Sequence, residues 1–188
     1  MVSFDYSSPL YINFREKIEI SHLSDKFLLE ASPGKIGKIN TGIILHDILS
    51  RIEKQADISA VLSQMVYEGA ITNQQIEGLQ KQLDGYFKNP VFASWYCGRG
   101  QILNEQTILV PGQKHDRRPD RIIIKENRVV VIDFKFGEHK SQGHIKQINR
   151  YSQLIKEMGY KEVSAFLFYG DNGEVVDINN NIIQTELF

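Results

Sequence analysis

Two aspartates and a lysine fall where a strand pattern would bring them together. In the run Val129 to Phe136 side chains alternate, so Val129, Val131, Asp133 and Lys135 share one face and Val130, Ile132, Phe134 and Phe136 the other. An acid and a base thus emerge side by side behind apolar residues, where charge is costly unless it is paired or bound to an ion. Asp120, preceded by Pro119, lies at the start of a second strand-like run of about 119–125, and Glu126-Asn127 separates the two runs tightly enough for an antiparallel hairpin. Pairing about that turn sets residues near 120 opposite residues near 133. Carboxylates are the ligands that a hard divalent cation prefers, and the carbonyl of Phe134 is available as a further ligand. A lysine beside them can hold an attacking water or offset charge on a phosphorane, so the trio suits phosphodiester hydrolysis. The simpler reading of Asp133 and Lys135 is a salt bridge at a strand end.

The chain has 188 residues and a formal net charge of -1, with 24% charged and 41% hydrophobic residues. These are the proportions of one globular domain. Ten Lys or Arg against five acids give residues 114 to 150 a charge of +5 and leave -6 for the rest. Within that stretch Arg117, Arg118, Lys140 and Lys146 are candidate contacts to DNA phosphates. The single cysteine, Cys97, excludes a thiolate cage, so any metal uses oxygen and imidazole ligands. Gly34-Lys35-Ile36-Gly37-Lys38 lacks the spacing and the Ser or Thr of a phosphate-binding loop, which argues against an ATP motor in this chain. No apolar run approaches the ~20 residues of a membrane span, and Met1 does not lead into a secretory signal, so a cytoplasmic location is expected.

The elements that must carry these residues can be read from periodicity. Residues 1–40 read as a lead-in segment, with turn formers at Ser7-Ser8-Pro9 and Ser32-Pro33-Gly34. Residues 41–188 form the main domain, helical over 41–90 and sheet-bearing over 91–188. One helix is expected after Thr41-Gly42, with Leu45, Ile48, Leu49 and Ile52 inward. A second begins at Asp57 and stops at Gly69, and a third begins at the capping box of Thr72 and Gln75. Three helices therefore precede Pro90. Strands are expected at about 101–110, 119–125, 128–136, 163–169 and 174–178. A helix over about 141–158, with Ile145, Ile148, Ile155 and Met158 inward, crosses between the third and fourth. The apolar run Val163 to Phe168 predicts a strand covered on both faces. Phe92, Trp95 and Tyr96 read as core. The expected class is α/β, a mixed sheet flanked by helices with a helical N-terminal part.

Arg118-Pro119-Asp120 followed by Asp133-Phe134-Lys135 resembles the PD-(D/E)XK signature of restriction-endonuclease-like nucleases, in the RecB-like branch. That branch also carries Gln-x-x-x-Tyr on the next helix, matched by Gln147 and Tyr151, whose spacing puts both on one helical face. The family places a His on an early helix, matched by His46, and a Glu on the first core strand, matched by Glu105. The likeness spans about residues 41–170. It implies Mg²⁺ or Mn²⁺ held by His46, Asp120, Asp133, the Phe134 carbonyl and Glu105. It further implies Asp120, Asp133, Lys135, Gln147 and Tyr151 as the residues of the reaction.

Within the family the chain is most similar to the C-terminal nuclease domain of AddA-type and RecB-type helicase-nucleases, which process DNA ends in recombinational repair. That similarity implies an upstream helicase motor in the same polypeptide and a partner subunit; the motor is missing here, so the chain is either a fragment or a free-standing nuclease, and Met1-Val2 opening into a lead-in segment favours the fragment. Two alternatives stay open: an inactive nuclease-like module that binds DNA or a subunit, and a stand-alone repair endonuclease or resolvase.

Overall fold

The computed structural model describes residues 33–108, 118–137, 140–179 and 183–184. The chain divides between Gly37 and Lys38 into two units, and the larger, Lys38–Phe188, carries the sheet and the candidate residues. It is an α/β fold: a mixed sheet of six strands among the described residues, flanked by helices, with a helical N-terminal part.

Helix α1 (Pro33–Arg51) starts well before the expected Thr41. Proline has no N–H and a φ near the helical value, so Pro33 suits a first turn, although a Pro-Gly pair reads from sequence as a turn. Leu45, Ile48, Leu49 and Ile52 are all buried, as their spacing requires. A short 3₁₀ turn, Gln55–Asp57, leads to α2 (Ile58–Tyr67), which Gly69 ends at φ 74°. Asp57 precedes α2 as expected, but its carboxylate turns back to accept from the amides of Glu53 and Lys54. Helix α3 (Asn73–Phe87) opens on the capping box, with Gln75 Oε1 2.8 Å from the Thr72 nitrogen.

Pro90 begins a fourth helix, α4 (Pro90–Ser94), rather than closing the helical part. Asn89 caps it by accepting from the amides of Val91 and Phe92. The cap seats Phe92 in an aromatic cluster. Its ring centroid lies 4.6 Å from Phe168, 5.2 Å from Phe87 and 5.3 Å from Tyr96. Burial of such a ring stabilises by about 1.5–3 kcal/mol, so this cluster is a main bond between helices and sheet.

The strands β1 (Gln101–Asn104), β2 (Arg121–Lys125), β3 (Arg128–Lys135), β4 (Glu162–Tyr169), β5 (Glu174–Asp177) and β6 (Ile183–Gln184) lie in sequence order. All neighbours are antiparallel except β3 and β4, which the crossover helix α5 (Gln142–Glu157) connects in parallel. Alternation along β3 divides the core as the sequence predicts. Ile132 and Phe134 join α1–α4 on one face, whereas Val129 and Val131 join Ile148, Tyr151 and Ile155 of α5 on the other. Strand β4, between β3 and β5, is covered on both faces. Met158 is not core: it lies just past α5 and is 65% exposed, while Leu154, four residues earlier, is buried instead.

Candidate active site

The site forms where the β2–β3 ladder ends. Arg121 is the last residue of β2 to pair, opposite Ile132. One residue beyond, the Asp120 side chain replaces a strand: its Oδ2 accepts from the Phe134 amide at 2.6 Å. The N–H and C=O of a strand residue leave by the same edge, so the Phe134 carbonyl also faces the side on which Asp120 stands. Asp133 projects from the opposite face of β3 and is 2% exposed. Lys135 Nζ lies 2.8 Å from Asp133 Oδ2 and 3.1 Å from Gln147 Oε1. Ser141 caps α5 through the amide of His144, setting the turn from which Gln147 and Tyr151 reach inward. Gln147 Nε2 donates to Tyr151 Oη at 2.9 Å, and Tyr151 Oη in turn lies 3.5 Å from the Arg118 carbonyl.

From the other side α1 delivers His46. Its Nε2 is 3.1 Å from Asp120 Oδ1 and its Nδ1 3.5 Å from Glu105 Oε1. Glu105 has the left-handed φ of 49° just past β1, and Arg118 Nη1 lies 3.6 Å from its second oxygen. The approach of α1 depends on Gly42. A Cβ there would lie 2.8 Å from Phe136 Cβ, an atom that no rotamer change can move.

These groups perturb one another. Burial, with the charge of Asp120 next, pushes the Asp133 carboxyl up to about 6 against the opposing pull of Lys135 and His46. The hydrogen bond that His46 donates to Asp120 raises its imidazole above the ordinary value, partly offset by burial, and the charges of Asp120, Glu105 and Asp133 add to the rise. The two shifts have a common source in the crowding of three carboxylates, one lysine and one imidazole at the end of β3.

The structure thus brings together His46, Glu105, Asp120, Asp133, Phe134, Lys135, Gln147 and Tyr151. It disposes the basic residues differently from a simple electropositive face. Arg117 lies outside the described residues. Arg118 and Lys146 are exposed. Lys140, however, is paired at 2.6 Å with the buried carboxylate of Glu174, which Asn172 also contacts. Arg128 is likewise paired with Glu162 at 2.6 Å.

Arg121, counted with the basic stretch, is fully buried. Its guanidinium donates to the carbonyls of Ile52, Glu53 and Trp95 and to Asn104 Oδ1, and lies 4.0 Å over the Tyr96 ring. Asn104 Nδ2 donates to the Ser50 carbonyl at 2.6 Å. Together they fasten the end of α1 to the start of β2, and so set the span between His46 and Asp120. Sequence reasoning missed both, because an arginine next to an acid reads as surface charge.

Among the described residues no three His, Cys, Asp or Glu side chains already meet at one point as a metal requires. In chemistry the donor set still suits Mg²⁺ or Mn²⁺: carboxylate oxygens from Asp120 and Asp133, a strand carbonyl and one imidazole nitrogen. His46 Nε2 and Asp120 Oδ1 are hydrogen-bonded to each other, and a cation would replace the proton between them. Comparison with protein-family models and with curated proteins finds no match to this chain.

Proposed function

We propose that this chain is a metal-dependent DNA nuclease. The observation that carries the reading is the convergence of His46, Asp120, Asp133 and Lys135, drawn from three separate segments, with Gln147 and Tyr151 closing the same cluster. A structural salt bridge between Asp133 and Lys135 needs none of the other four.

On this reading Asp120, Asp133, His46 and the Phe134 carbonyl hold Mg²⁺ or Mn²⁺. An ion held there would supply a Lewis acid for the scissile phosphate and would acidify a water. Lys135, steadied by Gln147, offsets charge that develops on the phosphate. Tyr151 fixes Gln147. Arg118 and Lys146, both exposed, contact neighbouring phosphates. The wider proposal is the nuclease domain of an ATP-dependent helicase-nuclease that trims DNA ends in recombinational repair, with the motor upstream and a partner subunit. Among the described residues no helix is long and apolar enough to cross a membrane.

A second reading, an inactive module that only binds DNA or a subunit, draws on the hydrogen bond that occupies His46 and Asp120. Metal substitution separates the two. The nuclease cleaves linear DNA in Mg²⁺ or Mn²⁺ and binds it with little turnover in Ca²⁺, whose longer bonds and looser geometry position water poorly. Binding to single-stranded and duplex DNA with no cleavage in Mn²⁺ would establish the inactive module.

A further inference from the structure

Glu105 combines two features that its place on the chain does not require. Its backbone is left-handed, which a glutamate rarely adopts and which persists only where the surroundings over-determine it. Its amide is held by the Asp120 carbonyl at 2.9 Å, just where β1 leaves the ladder. That geometry turns the side chain toward His46, with Oε1 at Nδ1, the ring nitrogen remote from Asp120. Imidazoles that bind metals commonly donate the proton of their other nitrogen to a carboxylate, which fixes ring orientation and tautomer.

Resting on the nuclease reading, we propose that Glu105 is a positioning residue rather than a metal ligand: it holds His46 by Nδ1 so that Nε2 faces the cation beside Asp120. The left-handed backbone at 105 is the means by which a strand end is bent to that task. Arg118, 3.6 Å from the other carboxylate oxygen, steadies Glu105 from the solvent side.

The test compares the full chain with Glu105→Asn, Glu105→Gln, His46→Ala and the double variant Glu105→Asn/His46→Ala. Three quantities are read: Mn²⁺ affinity by electron paramagnetic resonance, the ¹⁵N shifts of the His46 ring without metal, and the melting temperature without metal. Asparagine tolerates the left-handed backbone but is too short to reach the ring. Glu105→Asn should weaken Mn²⁺ binding by roughly 10- to 100-fold, the usual effect of losing such a partner. The Nδ1 resonance should move, and the melting temperature shows that the variant is folded. Glu105→Gln, whose amide oxygen still accepts from Nδ1–H, should recover most of the affinity. In the His46→Ala background Glu105→Asn should cause no further loss, because the residue acts through the imidazole.

Additive losses would make Glu105 a ligand in its own right and overturn the proposal. So would an unmoved Nδ1 resonance in Glu105→Asn. A wild-type chain that binds no Mn²⁺ would bring down the nuclease reading, while the Nδ1 resonance would still decide whether Glu105 holds the ring.

Discussion

Lys135 Nζ lies 2.8 Å from Asp133 Oδ2 although both side chains leave the same face of one strand, two residues apart. The pair supplies its own charge balance, so a buried carboxylate is tolerated at the strand end. Replacing Asp133 with Asn keeps the shape and removes the charge. Cleavage of linear DNA should fall by at least about 10²-fold, with DNA affinity within a few-fold, and Lys135→Ala should act similarly. Full activity of either purified variant in Mg²⁺ would refute the site.

Gly42 sets how closely α1 approaches the end of β3. Gly42→Ala puts a methyl against Phe136 Cβ and should cost about 1–3 kcal/mol as an overpacked contact. For a chain of this size that lowers the melting temperature by roughly 2–4 °C per kcal/mol. Thermal unfolding checks it. A melting temperature unchanged by Gly42→Ala would mean that α1 has room to spare.

The titration of Asp133 makes metal-free stability depend on pH in an uncommon direction. Its carboxyl titrates near 6 in the folded chain against an ordinary value of 3.8, so the folded state holds the proton more tightly than the unfolded state. Stability contributed by that proton is present below about pH 4 and is lost as pH rises through about 6. His46, also raised, continues the same trend above 6.5. The melting temperature of the wild type relative to Asp133→Asn should therefore drop between pH 4 and 7 in the presence of a chelator. A flat difference would contradict the burial of an acid at this position.

Lys140 and Arg118 should behave differently although both are basic and exposed. Lys140 neutralises the buried Glu174, so Lys140→Ala should lower the melting temperature and leave the salt dependence of DNA binding in Ca²⁺ unchanged. Arg118→Ala should reduce the slope of log affinity against log salt by about one contact, roughly 0.7–0.9. A Lys140→Ala slope that falls like that of Arg118→Ala would restore Lys140 to the DNA-binding set.

The centre of the site was legible because a two-residue turn fixes register by counting. From Lys125 opposite Arg128, the ladder brings Asp120 alongside Asp133. The face shared by Asp133 and Lys135, and that shared by Gln147 and Tyr151, follow from strand and helix periodicity alone. What lay beyond reach depends on contacts that span the chain. The burial of Arg121 is decided by carbonyls at Ile52, Glu53 and Trp95, far from it in sequence, and composition marks it only as a charge. Helix α4 was hidden because Pro90 signals both an end and a beginning, and Asn89 as its cap decides which. The left-handed backbone at Glu105 has no signal in its residue type.

The two-residue turn at Glu126-Asn127, with Glu126 at φ 55°, also governs the order in which the parts can arrive. A hairpin of this kind closes within about 1–10 μs, whereas contacts across long stretches of chain wait on loop closure. Asp120, Asp133 and Lys135 lie on one segment of sixteen residues that contains its own counter-ion. His46, more than seventy residues upstream, joins only when α1 docks, and Gln147 only when α5 crosses to β4. Local pairing alone thus sets the two acids and the lysine beside one another, whereas the imidazole and the amide depend on packing between distant parts of the chain.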